Sequence, residues 1–143
     1  MKLPDVNLLL YAVDEESPSH DRAREWLEAV LSGTEAVAFA WVALLGFLRI
    51  STNPAAIERP LSPDDALLHV DEWLAQPVAT VVNPTDAHAA TLRRLLQPLG
   101  TAGNLTSDAH LAALALEHGA EVCSSDNDFA RFEGLRWLNP LAS

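Results

Sequence analysis

Four aspartates stand where a carboxylate could do chemistry: Asp5, Asp108, Asp126 and Asp128. Asp5 interrupts an otherwise apolar opening, and an ionised group among apolar neighbours is costly to bury without a partner. Asp108 opens an Ala- and Leu-rich segment, and Asp126 and Asp128 follow the short Glu121–Ser124 run. Gathered in one crevice, these carboxylates repel each other, and without a cation at least one holds its proton to higher pH. A hard divalent cation such as Mg²⁺ or Mn²⁺, which takes oxygen ligands, removes that conflict. Such an ion can activate water and stabilise the leaving oxygen of a phosphodiester, so no nucleophilic side chain is required.

Each acid also has an ordinary reading. Asp108 at a helix start is a cap or dipole partner. Asp126-Asn127-Asp128 is common turn composition. Asp5 could bond the local backbone. Taken together, at the positions where a site is expected, they favour the metal reading.

Other chemistry finds little support. His20, His69, His88, His110 and His118 are scattered with no ligand-like spacing, and Asp108 and His110 point about 200° apart on a helix. Ser124-Ser125 has no evident His partner, and there is no Gly-x-Ser-x-Gly elbow, phosphate-binding Gly-x-x-x-x-Gly-Lys loop or Gly-x-Gly-x-x-Gly. Trp26, Trp41 and Trp73 fall at core positions and Trp137 near the end, so we read them as packing and not as base-stacking platforms.

The elements that must position the acids follow from periodicity. A short buried strand ends near Asp5, followed by a helix over Leu8–Val13. Ser17-Pro18 predicts a helix start with Ser as cap and Pro first. Behind it, Ala23, Trp26, Leu27, Val30 and Leu31 form one apolar stripe. Ala36–Phe39 reads as a strand, and Trp41–Ile50 as a helix buried on several sides. Ser62-Pro63 opens another helix, Val78–Val82 is a β-branched buried strand, and Asp86–Gln97 is an amphipathic helix. A Gly-containing loop over Leu99–Asn104 leads to a helix over Thr106–His118. Strands over Glu121–Ser124 and Leu135–Leu138 flank an acidic turn, Ser125–Phe129. Alternating strands and helices predict a three-layer α/β/α domain over residues 1–143 with a central parallel sheet. In such sheets ligands sit at strand carboxyl ends, at a topological switch point. If the first and fourth strands are neighbours, all four acids converge there.

Composition narrows the field further. With 143 residues, one domain is expected. Nine Lys+Arg against 20 Asp+Glu give a net charge of −11, which argues against broad non-specific nucleic-acid binding. Lys2 is the sole lysine, so lysine chemistry has almost no place. The single cysteine, Cys123, excludes an intrachain disulfide and a cysteine-rich zinc site. Met1–Val13 lacks a leader pattern and no apolar run reaches membrane-spanning length, so a cytoplasmic protein with no membrane association is expected.

Asp5-Val6-Asn7 after a strand, Asn104–Ala112 opening a helix, and Ser124–Phe129 after a strand together resemble the PIN-domain ribonucleases. Within them the chain looks like the VapC toxins of VapBC toxin–antitoxin pairs. The segments Trp41–Pro54 and Gly100–Ala115 and the Gly134–Pro140 ending look like a mycobacterial or actinobacterial branch. The resemblance implies a Mg²⁺- or Mn²⁺-dependent endoribonuclease, acting on structured RNA such as tRNA or rRNA. It also implies a homodimer inhibited by a VapB-type antitoxin. Asp5, Asp108 and Asp126 match the acidic motifs expected to bind the metal, and Asp128 is a further acid of the last motif. Asn7, Thr106 and Ser124 match polar positions that support the acids or hold metal-bound water.

One position departs from the family pattern. Gly46, just ahead of Phe47-Leu48-Arg49, stands where a Glu is usual, and no acid lies between Glu35 and Glu58. This leaves one metal or two open and predicts weaker metal binding. Arg49, on the same helix, is a candidate phosphate contact. Two alternatives remain: a catalytically weakened interaction protein with this fold, favoured by Gly46, and a phospho-receiver-like signalling module. The second needs a partner Lys after a late strand and a phosphoacceptor Asp near Ala36–Phe39, and this chain has neither.

Overall fold

The structure is a computed structural model describing residues 1–142. Five short strands, β1 (Lys2–Pro4), β2 (Val37–Phe39), β3 (Ala79–Val81), β4 (Glu121–Cys123) and β5 (Trp137–Leu138), form one parallel sheet in the order β3-β2-β1-β4-β5. Six helices connect them: α1 (Val6–Val13), α2 (His20–Leu31), α3 (Trp41–Ser51), α4 (Pro63–Leu74), α5 (His88–Leu96) and α6 (Thr106–His118). The chain runs outward from β1 to β3, then crosses back to lay β4 on the other side of β1. That reversal makes the β1/β4 boundary the switch point, where strand ends open a crevice.

Alternation along the strands divides the core. Val37 and Phe39 face α1–α4, packing with Leu9, Leu27, Leu44, Phe47 and Trp73. Ala38 and Ala40 face the opposite side with Leu3 and Val122, against α5, α6 and Phe129. Helices thus cover both faces, as parallel strands require. A Phe47–Trp73 edge contact at 4.8 Å knits α3 to α4. Ser62 caps α4 as its Ser-Pro signal predicts, its hydroxyl accepting from Asp65 N at 3.1 Å.

Four expectations need correction. Ser17-Pro18 does not open α2; the Ser17 hydroxyl accepts from Ser19 N at 3.2 Å, and the helix begins two residues after Pro18. α1 begins at Val6 and not Leu8, because Asp5 itself caps it. The strand around Val78–Val82 is only partly buried: β3 lies at the sheet edge, with Thr80 and Val81 exposed although Val82 joins the core. Trp41 is not core; it is 44% exposed, and Leu45 one turn later is 57% exposed. No helix is long and apolar enough to cross a membrane among the described residues.

Candidate active site

The carboxyl ends of β1 and β4 lie side by side. The register pairs Pro4 with Cys123, and Asp5 N donates to Cys123 O at 2.8 Å. Asp5 and Ser124 therefore leave the sheet together. Asp5 Oδ1 accepts from Val6 N at 2.8 Å, capping α1, and Oδ2 accepts from the Ser124 hydroxyl at 2.7 Å. Ser124 is wholly buried, and its oxygen also accepts from Asp126 N at 3.0 Å and from the Asn7 amide at 3.3 Å. One hydroxyl thus ties Asp5, Asn7 and Asp126 together. Trp137 Nε1 secures the same residue from β5, donating to Ser124 O at 3.0 Å.

Beyond Ser124 the chain makes a 3₁₀ turn over Asn127–Arg131, closed by Asp126 Oδ1 accepting from Asp128 N at 2.9 Å. The first turn of α6 delivers Asp108 to the same place. Asp108, Asp126 and Asp128 each offer a carboxylate oxygen, and these three atoms lie within 4.8 Å of one another. Asp5 is more buried than any of the three and lies outside the trio. It lines a crevice of about 110 Å³ with Asp108, Ser107, Gly46 and Arg49. The sequence-based ligand set of Asp5, Asp108 and Asp126 thus differs from the tightest trio, in which Asp128 takes the place of Asp5.

The electrostatics reflect crowding. Burial pushes the Asp108 carboxyl up, and the charges of Asp5, Asp126 and Asp128 push it further, to about 7. Burial also raises Asp5, and the Asp126 charge adds to the rise; the hydrogen bonds from Ser124 and Val6 oppose it. A divalent cation relieves that repulsion, and an oxygen-only donor set suits Mg²⁺ or Mn²⁺. Among the described residues, Asn7 Oδ1 is buried without a hydrogen-bond partner beside this network, an acceptor that a hydrated cation's water would satisfy. The residues present fit such an ion.

The remaining expected site residues divide. Arg49 lines the crevice. Thr106 is exposed, and its hydroxyl donates to Gly103 O at 2.8 Å and not to an acid. Ser107, passed over in the sequence, takes its place on the crevice wall; its adjacency to Asp108 was the available signal. The histidines are less scattered than their spacing implied. His88 Nδ1 contacts Glu117 Oε2 at 2.5 Å and its Nε2 contacts His110 Nδ1 at 2.9 Å, bridging α5 and α6 away from the acids. The Cys123 thiol is buried and pushed up to about 12, which removes it as a nucleophile. Lys2 pairs with Glu121 at the opposite ends of their strands, so no lysine serves the crevice.

Comparison with known proteins decides the family. A family model described as PIN domain matches residues 2–135. The chain belongs to the PIN-domain family. Its PIN-domain relatives include ribonuclease VapC37 of Mycobacterium tuberculosis, 51% identical over 142 residues and covering 99% of each chain. Ribonuclease VapC33 of the same organism is 44% identical over 141 residues, again covering 99% of each. These identities place the chain in the VapC branch. The PIN fold recurs in the structure of VapBC2 from Rickettsia felis bound to a promoter DNA fragment, with a TM-score of 0.71. That match covers 96% of this chain and 97% of that one at 17% identity. FitAcB from Neisseria gonorrhoeae gives a TM-score of 0.63 with 98% of each chain covered at 18% identity.

Proposed function

We propose that this protein is a cytoplasmic, Mg²⁺-dependent endoribonuclease, the toxin of a toxin–antitoxin pair, acting on structured RNA such as tRNA or rRNA. The observation that carries the reading is the carboxylate trio at the switch point, with Asp108 lining the crevice and raised to about 7 by burial and its acidic neighbours. Relatives named ribonuclease VapC support it. Asp108, Asp126 and Asp128 would hold the ion, with Asp5 reaching it directly or through water. Bound, a divalent cation supplies the Lewis acidity that makes water attack a phosphodiester.

The chain's own residues supply the rest. Ser124 donates to Asp5 and so fixes the direction of its remaining lone pairs. Asn7 holds the Ser124 oxygen in place, and Asp126 N locks the turn that carries two of the acids. Arg49 presents a guanidinium to a phosphate. Because the net charge is −11, RNA engagement rests on such local contacts and not on a broad basic face. Single-stranded loops of folded RNA are the substrates such a crevice can admit. The test is cleavage of purified tRNA and rRNA with Mg²⁺. Asp5→Ala should abolish it, and equal rates in variant and wild type would overturn the reading.

Two partners belong to the same proposal. Trp41 and Leu45 present an apolar strip on α3 that a second copy would cover, giving a homodimer. A VapB-type antitoxin with a basic tail would place an Arg against the acids, taking the cation's place and silencing the site. Light scattering of the purified chain and of Trp41→Glu checks the first: a monomeric wild type refutes the dimer. The second reading, a catalytically weakened interaction protein, is favoured by Gly46. Its signature is the absence of Mg²⁺ or Mn²⁺ binding at millimolar concentration.

A further inference from the structure

The two walls of the crevice differ in chemistry. On one side α6 contributes Ser107 and Asp108, the latter gathered with Asp126 and Asp128, and Asp5 lines the crevice from the end of β1. The facing wall, built by α3, presents Val42, Ala43, Gly46 and Arg49. Gly46 is buried, and a Cβ placed on it would lie 3.0 Å from Val6 Cγ2, so that Val6 must shift before α3 could carry a side chain here. Arg49, one turn along the same helix face, is exposed. Among the described residues it has no carboxylate within 4.0 Å. Its guanidinium is therefore not neutralised by the acids across the crevice.

A pair of metal ions about 3.5–4 Å apart stabilises both the attacking and the leaving oxygen of a phosphodiester. Here a second dication would face a wall without a carboxylate and would lie near a permanent positive charge. A guanidinium, always protonated and shaped to take two phosphate oxygens at once, meets the same need. We propose that the crevice works with one divalent cation and that Arg49 stands in for the second, contacting the scissile phosphate of RNA. This rests on the nuclease reading above.

The experiment uses the full chain with Mn²⁺ as probe. Titration followed by electron paramagnetic resonance counts bound ions, and cleavage of purified tRNA in Mg²⁺ gives kcat and KM. Wild type should bind one Mn²⁺ per chain. Arg49→Met should keep that ion with equal or tighter affinity and an unchanged melting temperature. It should lose about 10-fold or more in kcat/KM, less than the 10²–10³ that a buried transition-state donor gives, because Arg49 is exposed. Arg49→Lys should recover part of the loss by restoring charge without the paired donors. A purely structural arginine would instead move melting temperature and Mn²⁺ affinity together. Two Mn²⁺ per wild-type chain, or full activity in Arg49→Met, overturns the proposal while leaving the nuclease reading intact. Full activity in Asp126→Asn, or a wild type that neither binds Mn²⁺ nor cleaves, overturns the nuclease reading and this proposal with it.

Discussion

Asp108→Asn should stabilise the cation-free protein, and the gain should depend on pH. The folded carboxyl holds its proton to about pH 7 against an ordinary 3.8, driven first by burial and then by Asp5, Asp126 and Asp128. Folding therefore gains from this group below pH 3.8 and loses the gain as the pH rises through about 7. In full, that difference would be worth about 4 kcal/mol. Asp108 is partly buried and still reached by solvent, so screening reduces the expected effect to about 1–2 kcal/mol. The neutral amide escapes the repulsion. At pH 8 in a chelator, Asp108→Asn should melt about 3–8 °C above wild type, and at pH 4 the two should coincide. Adding Mg²⁺ should reverse the order. A cation at 100 times its Kd stabilises wild type by about 2.7 kcal/mol, and the variant has lost a ligand. Differential scanning calorimetry across pH, with and without Mg²⁺, reads all three outcomes. A variant no more stable than wild type at pH 8, or an advantage persisting at pH 4, would refute the crowding argument.

Three further outcomes follow from other contacts. Ser124→Ala leaves Asp5 Oδ2 and Asp126 N without their shared partner, so urea unfolding should show a loss of about 1–3 kcal/mol, with weaker Mn²⁺ binding. Glu117→Ala removes the acceptor of His88 Nδ1 and of Thr85, and should cost about 1–3 kcal/mol at pH 7. Its Thr85 and His88 hydrogen bonds hold the Glu117 carboxyl below 4.5 against burial. Wild type should therefore lose this contribution only as pH falls beneath that value. Gly46→Ala sets overpacking against Val6 against the better helix propensity of Ala, for a net loss of about 1 kcal/mol. Adding Val6→Ala should show a coupling that relieves the clash; strict additivity in thermal melts would mean no clash exists.

The element order was legible because apolar strands and amphipathic helices alternate without interruption, and the acids' convergence followed from one rule about parallel sheets. What the sequence hid was tertiary. Ser17-Pro18 carries the same signal as Ser62-Pro63, but in the first the chain spends Ser17 on a turn and starts its helix later. Val78–Val82 reads as buried because β-branched residues suit any strand, and nothing local marks a sheet edge. Trp41 and Leu45 read as core for the same reason: apolarity does not say whether the covering partner is intramolecular. His88, His110 and Glu117 lie on two helices, and their meeting depends on how α5 and α6 rotate against each other. Ser124 was singled out, but its part as the shared partner of three residues needed coordinates.

The ordinary and the functional readings of each acid prove not to compete. Asp5 caps α1 with one oxygen and receives Ser124 on the other. Asp126 closes its turn through Oδ1, which leaves Oδ2 uncommitted to the turn. These local duties cost little and gain rigidity: each fixes a carboxylate's rotamer before any ligand arrives. Asp108 is the exception: its carboxyl meets another acid, Asp126, in a hydrogen bond and bears the largest share of the repulsion. A site assembled this way is preorganised at two corners and strained electrostatically at the third. The strain is what a cation removes, so the same crowding that weakens the cation-free fold strengthens the driving force for binding. It follows that neutralising Asp108 and neutralising Asp5 should differ in kind. The first trades affinity for stability, whereas the second breaks the scaffold that holds Ser124 and the β4 turn.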